Sequence, residues 1–233
     1  MNFLSVTLTG NEGSQSGDRG RAWLGSRLNN ADAEDVRDFF NRKDAFGQFP
    51  LTRAYGNRNG EVVAVALGEK VDLLARLLPA LTEIASSCTI KRGIIAATPS
   101  ESPRLFRATV LAMRSFGSDP DFSKKLREGN SDAVNTVSDA IQKRINTDFI
   151  RYLDIPPAQD APEGFEDFRV VRFLNPVVAV QEHDGKKRHF VGGTVLFEGA
   201  VDLHGPFWAF GRLTSKGWGK VLRASGGHEY DRW

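Results

Sequence analysis

The sequence is poor in the side chains that commonly hold metals or form disulfides. It has 1 cysteine and 4 histidines among 233 residues. Because Cys88 stands alone, no internal disulfide can form, which argues against a disulfide-stabilised secreted protein. The acidic residues are not spaced with histidine or cysteine as metal ligands are, so we expect no metal and no bound cofactor. All histidines lie in the C-terminal third: His183, His189, His204 and His228.

Long apolar runs are also missing. The sequence contains no stretch of about 18 apolar residues, the length that spans a membrane, and it does not open with the basic start and apolar run of a signal peptide. We therefore expect a cytoplasmic protein without membrane association. Hydrophobic residues make up 40% and charged residues 26%, which is typical of folded domains. GxGxxG and GxSxG motifs are absent, which argues against dinucleotide binding and serine hydrolase chemistry.

Charge is distributed unevenly along the chain. The net charge of +2 is too small to indicate a polyanionic partner by itself. Residues 154–167 contain only acidic charges and several prolines, which predicts a linker. From Phe168 onward, ten basic residues face six acidic ones, so the C-terminal region is the basic part of the chain.

The first hundred residues show mixed strand and helix patterns. FLSVTLT, EVVAVAL and IKRGIIAA are typical of strands, and VDLLARLLPALTEIA is typical of a leucine-rich helix kinked at Pro79. With a short helix over residues 31–41, this order predicts a ferredoxin-like domain over residues 1–100. The segment NEGSQSGDRGRAWLGSR predicts a long basic loop because glycine and serine disfavour regular structure. Its cations are Arg19, Arg21 and Arg27.

Residues 101–153 show helical spacing and no convincing strand, so we expect an all-helical insert. Its basic side chains either bind a polyanion or simply solvate helix surfaces. They are Arg104, Arg107, Arg114, Lys124, Lys125, Arg127, Lys143, Arg144 and Arg151. Residues 168–233 are β-rich, with strand patterns in FRVVRFLNPVVAVQ, RHFVGGTVLFEGAV and FWAFGRL. Asp184 and Gly185 predict a tight turn between the first two of these strands.

The most informative stretch is GPFWAFGRLTSKGWGKVLR, residues 205–223, which we call the glycine-rich segment. Glycines allow a backbone to approach a sugar-phosphate chain closely, and nearby cations favour a polyanion. Trp218 or Trp208 can stack on an unpaired base. The order of residues does not match a nucleotide-binding P-loop. The alternative is a glycine-cornered β-hairpin whose lysines face water. The glycines and cations are Gly211, Arg212, Lys216, Gly217, Gly219, Lys220 and Arg223.

This segment resembles the C-terminal glycine-rich loop of the repeat-associated mysterious protein (RAMP) superfamily of CRISPR systems. FWAFGRLTSKGWGKVL is most similar to the repeat-processing endoribonucleases of that superfamily, and the central insert is similar to that of the type IV branch. The resemblance implies an α+β fold with two ferredoxin-like (RRM-like) halves, a central helical insert and a C-terminal glycine-rich β-hairpin. It also implies that residues 168–233 form an RNA-binding domain.

The resemblance further implies metal-independent cleavage of CRISPR precursor RNA within the repeat, where a ribose 2′-hydroxyl attacks the adjacent phosphate. Many relatives use histidine, which this chain lacks outside its C-terminal third. We therefore expect Arg19, Arg21 and Arg27 to be catalytic, with the scissile phosphate between them and the glycine-rich segment. Arginine holds phosphate oxygens well but is a poor proton acceptor. His189 and Tyr55 are reserve candidates for proton transfer.

The expected partner is the CRISPR RNA repeat hairpin, gripped by the basic residues of the helical insert and retained after cleavage. Other CRISPR effector subunits are further expected partners by the same resemblance. One alternative is a non-catalytic subunit that caps CRISPR RNA in an effector complex, which needs the glycine-rich segment but no active site. A second alternative is a protein-interaction domain whose basic hairpin has no role in RNA binding.

Overall fold

The computed structural model describes residues 1–9, 18–40, 51–57, 59–115, 120–153, 165, 167–183 and 186–224. Contacts divide the chain into two units, and each has its own sheet. The first unit comprises Met1–Ala96 and Thr214–Gly217, and the second comprises Ala97–Leu213 and Trp218–Trp233. Most of the predicted linker and the predicted turn at Asp184 and Gly185 lie outside the described residues.

The first unit contains a four-stranded antiparallel sheet in the order β2-β3-β1-β4. This order, with helices between β1 and β2 and between β3 and β4, is the ferredoxin-like arrangement predicted from the sequence. Leu4, Val6 and Leu8 alternate along β1 and are buried in the helix-covered core, as their period of two predicts. The strands are β1 (Asn2–Thr9), β2 (Thr52–Gly56), β3 (Val62–Leu67) and β4 (Ser87–Ile94).

The described part of the first unit also contains three α-helices: α1 (Asp18–Arg27), α2 (Ala33–Phe40) and α3 (Val71–Glu83). The leucine-rich pattern correctly predicts α3, whose buried leucines pack on the sheet. The prediction of a loop across the first arginines is wrong, because residues 18–27 form α1. Leu24 of α1 is fully buried, and this packing outweighs the low helix propensity of the segment.

The second unit repeats the strand order, as β6-β7-β5-β8. Its sheet is covered by two helices that lie between β5 and β6 in the chain. This repetition confirms the predicted α+β fold with two ferredoxin-like halves. The elements are β5 (Ala96–Ser115), α4 (Pro120–Arg127), α5 (Ser131–Tyr152), β6 (Arg169–His183), β7 (Lys186–His204) and β8 (Leu222–Arg223).

The prediction of an all-helical segment from residue 101 is wrong over its first part, which belongs to β5. Phe106, Ala108 and Val110 alternate along this strand and are buried. Their period of two is masked in the sequence by neighbouring apolar residues that also fit helical spacing. The prediction of a strand over FWAFGRL is also wrong, since only Ala209 forms an isolated bridge, to Lys220.

Aromatic side chains fill the core of the second unit. Phe168, Phe197 and Phe210 are almost completely buried, and Phe149 of α5 stacks edge-on against Phe168 with ring centroids 4.9 Å apart. Each such ring buries about 150–250 Å² and dominates the local packing energy. The helices among the described residues each lack the length or the apolar content needed to cross a bilayer.

Candidate functional site

Helix α1 packs closely on strand β2 in the first unit. A methyl group on Gly20 would overlap the backbone nitrogen of Gly56, so only glycine permits this approach. Arg19 and Arg27 are exposed, and Trp23 between them is half-buried. Residues four apart lie on the same side of a helix. Helix α1 therefore presents two exposed guanidinium groups that flank an indole.

Arg21 is separated from the other two predicted catalytic arginines. Its side chain is only 6% exposed, and Nη2 donates a hydrogen bond of 2.8 Å to the carbonyl oxygen of Phe40. The guanidinium carbon lies 4.6 Å from the centroid of the Phe40 ring. Arg21 therefore links α1 to the end of α2 and is not presented on the surface.

One part of the glycine-rich segment packs against β2 within the first unit. Residues Thr214–Lys216 form a single 3₁₀ turn, and Gly217 follows with a φ of 89°. A methyl group on Gly217 would lie 2.9 Å from Cγ of Tyr55. The backbone of Tyr55 contacts Gly20 of α1. Strand β2 therefore holds both α1 and residues Thr214–Gly217, with half-buried Tyr55 in contact with each.

The rest of the glycine-rich segment forms a short hairpin in the second unit. The amide of Phe210 donates to the carbonyl of Gly219 over 3.0 Å, and that of Val221 donates to Trp208 over 2.9 Å. Gly219 has a φ of 77°, and a methyl group there would overlap the carbonyl oxygen of Phe210. These backbone bonds form the hairpin that the resemblance implied.

The side chains of this hairpin differ in what they offer to a ligand. Trp208 is 4% exposed and belongs to the core, with Nε1 donating to the carbonyl oxygen of His204 over 3.0 Å. Trp218 is half-buried and is the better stacking candidate. Arg212 is exposed, but its Nε donates to the carbonyl of Ala112 over 3.2 Å. The other exposed cations are Lys220 and Arg223.

The basic residues predicted to grip RNA differ in exposure and in hydrogen-bonding partners, and one of them, Arg151, is buried. Arg104 and Arg144 are bound to carboxylates: Arg104 donates to Asp202, and Arg144 donates to Asp148. Arg107 is half-buried on β5, and the side chain of Arg114 lies outside the described part of the chain. The exposed group lies on the two helices and consists of Lys124, Lys125, Arg127 and Lys143.

The sequence prediction missed Asp148, which is 1% exposed at the centre of the second unit. Its Oδ2 accepts the amide hydrogen of Gly211 over 2.7 Å. Burial raises the pKa of Asp148, and Arg144, the Gly211 amide and Arg151 act in the opposite direction. The signal was present in the sequence, because Asp148 interrupts the apolar stripe of α5 between Ile145 and Tyr152.

Within the described ranges, no three His, Cys, Asp or Glu side chains are grouped so as to hold a metal ion. Reserve candidate His189 is exposed on β7 in the second unit. Reserve candidate Tyr55 lies in the first unit against Gly217. Of these two, only Tyr55 contacts the glycine-rich segment and α1.

No protein-family model matches the chain, and neither does any curated protein. Solved structures do match over almost its whole length. Csf5, a CRISPR-Cas type IV Cas6 crRNA endonuclease, is 15% identical with a TM-score of 0.55, covering 96% of this chain and 99% of that one. A Cas6b structure is 11% identical with a TM-score of 0.60, covering 96% and 99%.

A CRISPR RNA processing endoribonuclease, also a Cas6b, is 10% identical with a TM-score of 0.54, covering 96% of this chain and 100% of that one. These identities are low, and the agreement is one of architecture. It confirms, at the level of the fold, the resemblance carried by the glycine-rich segment. The chain therefore has the fold seen in these Cas6 structures.

Proposed function

We propose that this chain is a metal-independent endoribonuclease that cleaves CRISPR precursor RNA within the repeat and stays bound to the repeat hairpin. One observation carries the proposal: strand β2 holds the arginine-bearing helix α1 and residues Thr214–Gly217 together, with Tyr55 in contact with both. The shared fold with the CRISPR RNA endonucleases supports it. Association with other CRISPR effector subunits is part of the same proposal.

The reacting groups of the proposed reaction all belong to the RNA, and side chains of the protein act as catalysts. The ribose 2′-oxygen forms a bond to the adjacent phosphorus and the bond from phosphorus to the 5′-oxygen breaks. The proton lost by the 2′-hydroxyl is balanced by the one gained by the 5′-oxygen. The products are a 2′,3′-cyclic phosphate and a 5′-hydroxyl. Such a mechanism requires cations at the crowded phosphorane and a group that orients the reacting hydroxyl.

We assign the cationic role to Arg19 and Arg27, which are exposed on α1. A guanidinium group places fixed donors on phosphate oxygens and keeps its charge at neutral pH. Tyr55 is the assigned partner for the 2′-hydroxyl, because a phenol both donates and accepts hydrogen bonds. Arg21 has a supporting role, since its contacts to Phe40 hold α1 in place.

RNA binding is assigned to the exposed cations of α4 and α5, together with the glycine-rich segment. Contacts to phosphates position a duplex without reading its sequence, and A-form RNA is recognised mainly by shape. Trp218 can stack on an unpaired base beside the hairpin. Binding of this kind weakens steeply as salt concentration rises, because each phosphate contact releases counterions.

The test uses a labelled repeat hairpin in EDTA, with cleavage followed under single-turnover conditions. We expect one cut, and a rate that falls about 10²–10³-fold in Arg19→Ala or Arg27→Ala while RNA binding is largely kept. Arg37→Ala is the matched control, since Arg37 is an exposed arginine of the neighbouring helix. An RNA with a deoxyribose at the cleavage site must remain intact.

Each other outcome points to a different conclusion. Cleavage that survives both substitutions would show that the catalytic group lies elsewhere. Tight binding without cleavage would favour the non-catalytic capping subunit. Absence of binding to any repeat RNA would contradict the proposed function and would favour the protein-interaction alternative.

A further inference from the structure

Helix α5 buries three polar side chains, Asp148, Arg151 and Tyr152, among its apolar residues. Ile145 and Phe149 are almost inaccessible, and Asp148 and Tyr152 beside them are only 1% and 3% exposed. An unpaired carboxylate in such a place is strongly unfavourable, so a buried aspartate needs hydrogen-bonding partners. Asp148 and Tyr152 are four residues apart, which places them on one side of the helix.

Both side chains bond to the backbone of the glycine-rich segment. Asp148 accepts the Gly211 amide over 2.7 Å, and the Tyr152 hydroxyl accepts the Ala209 amide over 2.9 Å. The same hydroxyl lies 3.1 Å from the carbonyl oxygens of Phe207 and Ala209, to either of which it can donate. Thus α5 bonds to alternate residues along one edge of the segment.

Four consecutive amides of the segment have four different acceptors. The amides of Ala209 and Gly211 are bound by α5. The amide of Phe210, between them, donates to the carbonyl of Gly219 across the hairpin over 3.0 Å. The amide of Arg212, which follows Gly211, donates to the carbonyl of Leu111 in β5 over 2.6 Å. Each amide from residue 209 to residue 212 is therefore held by a hydrogen bond. The segment is therefore held from both edges before any ligand arrives.

Backbone strain in the segment shows why such restraint is needed. Phe207 and Leu213 have φ values of 72° and 63°, in the left-handed region. This conformation is unfavourable for a residue with a side chain. A stretch with these costs relaxes unless surrounding bonds fix it. The hydrogen bonds from α5 reach Ala209 and Gly211, which lie between the two strained residues, and Phe207, which is one of them.

An ion pair compensates for the burial of Asp148. Arg144 Nε donates to Oδ2 over 2.9 Å, and its Nη2 lies 2.9 Å from Oδ1. Arg144 was predicted to bind RNA, but in the second unit its guanidinium is directed to this carboxylate. Arg144 therefore pairs with the same carboxylate that accepts the Gly211 amide.

We propose that Asp148 and Tyr152 are positioning residues that fix the backbone of residues 207–212 in the conformation that binds RNA. The proposal rests on the proposed function, because RNA is the ligand it concerns. Pre-ordering a binding segment reduces the conformational entropy lost on binding, so the expected effect is on affinity. The chemical step, assigned to other residues, is expected to be unaffected once RNA is bound.

The test compares the wild type with Asp148→Leu and Tyr152→Phe, which remove the hydrogen-bond acceptor and keep a side chain of similar size. Asp139→Leu is the control for the first variant, at an exposed aspartate on the same helix. Hydrogen exchange of the Ala209 and Gly211 amides is measured without RNA, and we expect it to be about tenfold faster in the variants. The RNA concentration that half-saturates cleavage is expected to rise about tenfold or more, with the rate at saturation unchanged.

These two readouts separate the inference from the proposed function. Unchanged exchange at both amides in the variants overturns the positioning role. Faster exchange with unchanged half-saturation also overturns it, because the loosened segment would then be irrelevant to RNA. A lower rate at saturation with unchanged half-saturation assigns the residues to the chemical step and contradicts the proposal. If the wild type binds no repeat RNA, the proposed function fails and the inference about RNA fails with it, while exchange still decides whether the restraint exists.

Discussion

The two sheets of this protein share one strand order but differ in the connection to their last strand. In the first unit α3 links β3 to β4, which has eight residues. In the second unit the glycine-rich segment links β7 to β8, which has only two residues. A helix satisfies its own backbone, whereas the glycine-rich connection forms some backbone hydrogen bonds within its hairpin and others to α5 and β5 of the second unit. Candidate RNA contacts lie on the connection without a helix.

The two connections are stabilised by different kinds of interaction. Helix α3 buries leucines, each worth about 1.5–3 kcal/mol when removed from water. The glycine-rich connection buries Trp208 and Phe210, and it adds hydrogen bonds, each worth about 0.5–1.5 kcal/mol net, that fix a specific backbone shape. We therefore expect substitutions of the buried leucines in α3 to change stability, and substitutions at the exposed positions of the glycine-rich connection to change binding more strongly than stability.

The largest effect is expected in α3. Leu74 is completely buried, and Leu74→Ala should lower the free energy of unfolding by about 2–5 kcal/mol. Urea denaturation measures this loss. The matched control is Leu222→Ala on β8, where the leucine is 39% exposed and the loss should stay below about 1 kcal/mol. Equal losses at the two positions would remove the energetic contrast between the connections.

A smaller loss in the free energy of unfolding is expected from Gly219→Ala, because a methyl group there would overlap the Phe210 carbonyl. The strain should reach about 1–3 kcal/mol, and RNA affinity should fall with it. Gly129→Ala is the control: its φ of 75° is close to the 77° of Gly219, but no atom lies within 4 Å of the added methyl group. If both variants bind RNA equally weakly, the close contact of the hairpin is unimportant.

The next largest effect is the difference in stability loss between substitutions of two arginines in α1. Arg21→Ala removes a partly buried hydrogen bond and the packing on Phe40, so we expect a loss of stability of about 1–2 kcal/mol. Arg27→Ala, at an exposed position, should change stability by less than about 0.5 kcal/mol. Thermal unfolding distinguishes them. A large loss for Arg27→Ala alone would reverse the assigned roles.

The smallest effect concerns one ion pair in each unit. Hydrogen bonding to Arg76 lowers the pKa of Asp35, and hydrogen bonding to Arg104 lowers the pKa of Asp202. A lowered folded-state pKa stabilises the fold above the unfolded value of about 3.9, and this contribution disappears as pH falls through the folded value. Asp35→Asn and Asp202→Asn should each destabilise slightly at pH 7.

The measurement is denaturant unfolding of both variants across acid pH. The small difference in the free energy of unfolding between each variant and the wild type should vanish below the folded-state pKa of the aspartate. The two variants should behave alike in this respect. A deficit in either variant that grows on acidification would have the opposite sign to the one expected from a lowered pKa.

The sequence was most informative where apolar periodicity was simple. The alternation in β1 and the leucine spacing of α3 predicted both elements correctly. Helix α1 was missed because local composition argued for a loop, whereas Leu24 and Gly20 make contacts that only the folded unit provides. Strand β5 was missed because its apolar residues also fit a helical period.

The candidate site was predictable in part. Arginines and glycines marked its surface, but their separate roles depended on recognising α1 as a helix. At about 100° per residue, Arg21 projects about 200° away from Arg19 around a helix, so burial of one and exposure of the other follow only from helical geometry. Asp148 was detectable as a charge within an apolar stripe, although nothing in the sequence named its partner, Gly211.

The four differently bonded amides of residues 209–212 also limit how the gene can change. Replacing the exposed side chain of Arg212 leaves its amide where its acceptor is. Inserting or deleting one residue offsets every later amide from an acceptor on α5, on β5 or across the hairpin. This short stretch is thus constrained in length as well as in composition, and natural or designed variants should not differ here by insertion or deletion.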